Sequence, residues 1–192
     1  MTAPQSLLKE LIIGGQRSGK SRRAEALAQQ WLLVAGHRAV FIATAQAWDE
    51  EMRERIARHQ ADRAQRLPGM QTLEVPLALG EAIATHSAPG TLVVVDCLTL
   101  WLTNLLMPPQ GTNACDGNAS DESTAKLLES LKAAKGPVVL VGNEIGMGVI
   151  PMGAQVRAFV DTLGRLNQDV AAICDRVTLM VAGLPVVVKG AA

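Results

Sequence analysis

The eight residues Gly14-Gly15-Gln16-Arg17-Ser18-Gly19-Lys20-Ser21 constrain this chain more than any other stretch. They match Gly-x4-Gly-Lys-Ser, a pattern that works where an apolar strand delivers the chain into a glycine-rich turn that opens a helix. Leu11-Ile12-Ile13 supplies the strand. Residues 20–35 supply the helix, with Ala24, Leu27, Ala28, Trp31 and Leu32 on one face and Gly36 as its stop. Glycines let backbone wrap closely round an anion, and successive N–H groups at a helix N-terminus add donors and the positive end of a dipole. The stretch therefore reads as a P-loop. Lys20 is expected to reach the β- and γ-phosphates of a nucleoside triphosphate, and Ser21 to hold Mg2+.

The rest of the chain repeats the strand-then-helix alternation of an α/β protein. Residues 39–45 form an apolar, β-branched run, as in a parallel strand buried on both faces. Thr72-Leu73-Glu74-Val75 is a short strand closed by Pro76, and residues 77–86 a modest helix. Leu92-Val93-Val94-Val95-Asp96 is an apolar strand ending in a carboxylate, the form of a Walker B element whose Asp96 sits near Mg2+. Helices are expected over residues 98–107, 123–135 and 155–172, and a strand over residues 138–141. The glycine-rich run 142–151 follows that strand's C-terminal end, the edge where open α/β sheets place ligands. Residues 177–181 and 186–189 flank Gly183-Leu184-Pro185 as a hairpin. The pattern predicts a three-layer P-loop NTPase fold with a mostly parallel sheet and an antiparallel edge hairpin.

At 192 residues the chain suits one domain spanning 1–192, with a frayed arm at 1–8 and a mobile surface loop at 108–121, where Pro, Gly, Asn, Ser and Asp dominate. Lysine plus arginine is 18 and aspartate plus glutamate is 18, so no net field favours nucleic acid or an anionic membrane, and any anion site is local. Aromatics are 3% with no tyrosine, which leaves few stacking platforms for single-stranded nucleic acid. Cys97, Cys115 and Cys174 lack metal-ligand spacing and suggest a reducing compartment. The N-terminus has neither the basic region nor the apolar core of a signal peptide, and the uncharged stretch 97–115 is interrupted by Asn and Pro, so a cytoplasmic enzyme without stable membrane insertion is expected. His37 and His86 are expected as exposed turn residues, and Cys97 as a small buried filler rather than a nucleophile.

Residues 49–66 are charged and helical in propensity. Met52, Ile56 and His59 share one side, and Arg55 and Arg63 lie one turn before and after His59. Spacing alone favours a salt-bridged surface helix, with Glu51 pairing to Arg55, over a site. A second polar stripe, Arg157, Asp161, Arg165 and Asp169, is either a solvated face or a contact with a subunit or substrate.

Taken together, several pieces resemble one family, the bifunctional adenosylcobinamide kinase/adenosylcobinamide-phosphate guanylyltransferases of cobalamin biosynthesis. These are Gly14 to Ser21 with Arg22, Phe41-Ile42-Ala43-Thr44-Ala45, Glu51-Met52 with Arg55-Ile56 and His59, Thr72-Leu73-Glu74, and Val95-Asp96-Cys97-Leu98-Thr99 with Trp101-Leu102-Thr103-Asn104. Asn143-Glu144-Ile145-Gly146-Met147-Gly148 and Gly164-Arg165 with Asn167-Gln168 complete them, in order through nearly the whole chain. The resemblance implies that His59 becomes guanylylated by GTP, that Lys20 and the P-loop serve both reactions, and that ATP or GTP is the phosphoryl donor. It also implies nucleotide contacts from Gly14, Gly15, Gln16, Arg17, Ser18, Gly19, Lys20, Ser21, Thr44, Ala45, Gln46, Gln60, Arg63, Glu74 and Asp96. Mg2+ would be held by Ser21 and Asp96. The substrates implied are adenosylcobinamide and adenosylcobinamide phosphate, and the assembly a homo-oligomer, a trimer. The chain departs from the family at Met70, where a tryptophan often precedes the Thr-x-Glu element, and in a longer 108–121 loop. Two other readings of the same residues are a P-loop small-molecule kinase without a covalent step and a non-catalytic nucleotide-responsive module.

Overall fold

A computed structural model describes residues 9–47, 50–107 and 117–190, with the side chains of Arg55, His59 and Asn118 outside that description. The strands are β1 (Lys9–Gly14), β2 (Arg38–Ala43), β3 (Gln71–Glu74), β4 (Thr91–Asp96), β5 (Val138–Val141), β6 (Arg176–Val181) and β7 (Leu184–Lys189). The helices are α1 (Lys20–Leu32), α2 (Glu50–Arg66), α3 (Leu79–His86), α4 (Leu98–Leu106), α5 (Gly117–Ala133) and α6 (Ala154–Ile173). The described strands form one sheet in the order β3-β2-β4-β5-β1-β6-β7, parallel throughout except for the antiparallel pair β6–β7.

The central strands are apolar on both faces because both faces are covered, and successive side chains alternate between two cores. Along β4, Val93 and Val95 enter one core, and Leu92 and Val94 the other. The larger core takes Leu79 and Ile83 of α3, Trp101, Leu102 and Leu105 of α4, Leu127 and Leu131 of α5, and Leu163, Leu166 and Val170 of α6. The opposite core takes Ala24, Leu27 and Ala28 of α1, with Trp31, Leu32 and Met70 packed against it. Met70 thus fills an apolar gap. These three layers match the expected fold class.

Several local expectations need correction. The chain at 117–121 is not loop but the first turns of α5, while residues 108–116, like the arm 1–8, lie outside the described residues. The strand predicted over 39–45 stops at Ala43, because Thr44 is drawn into side-chain bonds with β4's end. The hairpin turn is Ala182-Gly183, at φ 51° and 82°, a two-residue loop whose positive φ values suit the twist of the flanking strands. Leu184 and Pro185 therefore belong to β7, where the missing proline N–H is tolerated because the strand is an edge. His37 is not simply exposed: its ring stacks on Trp31 with centroids 3.8 Å apart, and His86, the last residue of α3, is half-buried. On α2 the observed charge pairs are Arg53 with Glu50, and Arg66 with both Asp62 and, at 2.6 Å, Glu25 of α1; the predicted Glu51–Arg55 pair involves a side chain outside the described residues.

Candidate active site

Parallel pairing puts the C-terminal ends of β1 to β5 along one edge, and every predicted site residue ends one of those strands, follows its end, or lies on α1 or α2. Residues 14–19 leave β1 and turn into α1. Gly19 caps that helix at φ 100°, a left-handed conformation in which a side chain is strained, and a Cβ there would stand 3.2 Å from Gly183 Cα. The hairpin turn buttresses the loop directly, because Gly183 N–H donates to the Ser18 carbonyl at 3.0 Å. Gln16 and Arg17 face solvent, Ser21 is half-buried, and Ser18 Oγ is buried without a hydrogen-bond partner inside the loop.

Lys20 is 8% exposed, and its Nζ donates to the Gly15 carbonyl at 2.7 Å. Burial lowers its pKa below the ordinary lysine value, with the nearby Asp96 carboxylate opposing the shift. Asp96 ends β4, separated from β1 by β5 alone. Its charge also acts on Arg63, whose pKa is lowered by burial and whose guanidinium lies over the Phe41 ring, 3.6 Å from its centroid. Arg63 is therefore a buried cation with its Nε unpartnered, rather than a side chain on the salt-bridged surface that spacing alone favours for this helix. Two cations and one carboxylate thus meet beside the loop, an arrangement that suits a polyanion carrying a divalent metal.

Thr44 is spent on structure. Its hydroxyl donates to the Cys97 carbonyl at 2.7 Å and accepts from Cys97 N–H at 2.9 Å. Its N–H donates to the Asp96 carbonyl, and its own carbonyl accepts from Asn104 Nδ2 at 2.7 Å. Being fully buried with every polar group engaged, Thr44 fixes Asp96 and the half-buried Ala45 and Gln46. Cys97 has its thiol pushed up to about 12, chiefly by burial, with Asp96 adding to the shift, which removes it as a nucleophile.

The predicted residues are not all in one cluster. Glu74 ends β3, four strand positions from β1, or roughly 19 Å at ordinary strand spacing. There Gln60 Nε2 donates to Glu74 Oε1 at 2.8 Å, and both line a cavity of about 250 Å³ with Ala45, Ala47, Arg53 and Ile56. His59 lies on α2 one residue before Gln60, which lines the cavity, and one helical turn before the buried Arg63; its side chain lies outside the described residues. Among the described residues no cluster of three His, Cys, Asp or Glu could hold a metal. Ser21 with Asp96 remains a pair of hard oxygen donors, the kind Mg2+ takes alongside substrate phosphates.

The sequence placed Asn104 and Asn167 among the matching pieces without a role, and the structure makes both polar struts. Asn104, buried on the apolar helix α4, holds both Thr44 and the Pro76 carbonyl, and Asn167, buried on α6, donates to the Asn143 carbonyl at 3.1 Å. An amide on an otherwise apolar helix face was the available signal.

The fold and the loop define a P-loop α/β protein. Residues 10–188 match the family described as "Cobinamide kinase / cobinamide phosphate guanyltransferase", and the chain belongs to that family. It is 47% identical over 184 residues to the bifunctional adenosylcobalamin biosynthesis protein CobP of Pseudomonas aeruginosa, covering 95% of this chain and 98% of that one. It is 37% identical to the bifunctional adenosylcobalamin biosynthesis protein CobU of Salmonella typhimurium, covering 93% and 98%. Among solved structures it is similar to the flagellar accessory protein FlaH of Methanocaldococcus jannaschii, with a TM-score of 0.51 at 10% identity over 96% of this chain and 79% of that one, a likeness of fold alone.

Proposed function

We propose that the protein phosphorylates adenosylcobinamide and then transfers GMP from GTP, through a guanylylated His59, to adenosylcobinamide phosphate. The observation that carries this reading is the convergence of Lys20, Arg63 and Asp96 beside one P-loop in a chain that matches the family over residues 10–188.

In the kinase reaction the aminopropanol hydroxyl of adenosylcobinamide attacks the γ-phosphorus, and the bond to the bridging oxygen breaks as the diphosphate departs. ATP or GTP serves as donor. Lys20 and the amides of Gly15, Gln16, Arg17, Ser18 and Gly19 hold the β- and γ-phosphates and take up the developing negative charge. In the transferase reaction a neutral imidazole nitrogen of His59 attacks the α-phosphorus of GTP, and pyrophosphate leaves with its electron pair stabilised by the same groups. Arg63 neutralises the α-phosphate, with Gln60 and Glu74 at the nucleoside end. The phosphate of adenosylcobinamide phosphate then attacks the phosphoramidate, which frees His59 and gives adenosylcobinamide-GDP. Mg2+, when held by Ser21 and Asp96, supplies charge neutralisation on the phosphate oxygens.

The reading carries a cytoplasmic location, supported by the unpaired Cys97 and Cys174; no described helix is long and apolar enough to cross a membrane. It also carries a homo-trimer, supported by the exposed apolar side chains of Leu184, Val186 and Val188 on β7.

Incubation with α-labelled GTP tests the covalent step. The protein is expected to retain an acid-labile, alkali-stable label that His59→Ala abolishes. A label that persists in that variant sinks the nucleophile assignment, and γ-label transfer to substrate with no protein label makes the protein a kinase without a covalent step.

A further inference from the structure

The segment 143–152 leaves the sheet at the one strand end next to both Asp96 and the P-loop, because β5 lies between β4 and β1, with Val141 in register with Asp96 on one side and Ile12 on the other. Three bonds fix its start. Asn143 N–H donates to Thr99 Oγ1 at 2.8 Å, the Asn143 carbonyl accepts from Asn167, and Glu144 N–H donates to the carbonyl of Gly14, the first P-loop glycine, at 3.1 Å. Its far end is held by Arg157, which donates to the Pro151 carbonyl at 3.0 Å. Between these anchors the Glu144 carboxylate is oriented, with Oε1 accepting from Gly146 N–H at 2.8 Å. A Cβ at residue 146 would lie 3.1 Å from that oxygen, so glycine there leaves room for the carboxylate. Glu144 is half-buried, and Met147, Val149, Ile150 and Met152 beyond it are strongly exposed. An anchored carboxylate thus stands at the root of an apolar segment beside the phosphate loop, the side from which a large amphiphilic acceptor can approach.

We propose that Glu144 is the general base of the kinase step, an assignment that rests on the kinase reading above. As the acceptor hydroxyl attacks the γ-phosphorus, its proton passes to a carboxylate oxygen of Glu144. The new P–O bond forms, the bond to the β,γ-bridging oxygen breaks, and the diphosphate leaves with that electron pair beside Lys20. Glu144 then releases the proton to water. The other carboxylates at this edge are committed elsewhere: Asp96 is the proposed metal ligand, and Glu74 is bonded to Gln60 at the far end. The transferase step has no hydroxyl to deprotonate, because a neutral imidazole and a phosphate are its nucleophiles. Glu144 is therefore needed for one reaction only.

The test uses the full chain and its Glu144→Gln and Glu144→Asp variants. γ-Label transfer to adenosylcobinamide and α-label trapping on the protein are measured side by side. Glu144→Gln keeps the backbone bond to Gly14, and it is expected to lower kcat of the kinase step by about 10²–10⁴-fold. KM for the nucleotide and the yield of α-label stay at the wild-type level, and Glu144→Asp recovers part of the kinase kcat. A Glu144→Gln enzyme with kinase kcat within about threefold of wild type overturns the assignment, as does equal loss of both activities, which would mark a structural role. Absence of γ-transfer by the wild-type chain overturns the kinase reading itself, and the assignment with it.

Discussion

At the residue scale the site is built from charges kept out of water. A lysine whose pKa is lowered by burial releases protons on folding, so its cost to stability is present at neutral pH and disappears as pH rises through its folded-state pKa toward 10.5. Lys20→Met is therefore expected to raise the melting temperature of the nucleotide-free protein at pH 7, with the gain over wild type shrinking as pH approaches 10. The same substitution is expected to cut both reactions by at least about 10²-fold, the loss typical of removing one donor from a developing oxyanion. Calorimetry across pH with parallel γ- and α-label assays checks this, and a variant less stable than wild type at pH 7 would show that the ammonium bond to Gly15 outweighs its desolvation. Arg63 carries the same kind of burden, relieved in part by the Phe41 ring and Asp96.

At the element scale the C-terminal edge is held by side chains from helices on the opposite face of the sheet from α1. Asn104 of α4 ties the end of β2 to the chain after β3 through the carbonyls of Thr44 and Pro76. Asn104→Ala leaves those carbonyls without their donor in a buried setting, a loss of about 1–3 kcal/mol. For a chain of this length each kcal/mol is worth roughly 2–4 °C in melting temperature. Thermal unfolding by circular dichroism should show a fall of a few degrees or more; an unchanged melting temperature would mean that water replaces the amide. The hairpin of β6 and β7 works in the same way from the other side, with Gly183 bonded to Ser18.

At the scale of the whole molecule the two faces of the sheet are closed by helices, while β7 is an edge with Leu184, Val186, Val187 and Val188 exposed. Such a row of apolar side chains on an unpaired edge is a surface that folded proteins cover. On the proposed trimer, light scattering on the purified protein is expected to give about three times the chain's 20.3 kDa. A single-chain mass at micromolar concentration would remove the oligomer from the proposal.

By itself the sequence determined the P-loop, the alternation of strands and helices, Asp96 at a strand end and the edge hairpin. Each of these is written in contiguous residues, where strand period, glycine placement and helix start act locally. Only the tertiary structure decided that Arg63 is a buried cation over Phe41, that Thr44 is consumed by Cys97 some 53 positions away, and that Glu144 is anchored on Gly14. Those outcomes depend on which strands become neighbours, and in this sheet β5 enters between β4 and β1 although α4 and α5 separate it from β4 in sequence. No local pattern records that insertion, because strand order is set by how two apolar faces are covered at once, a property of the packed whole.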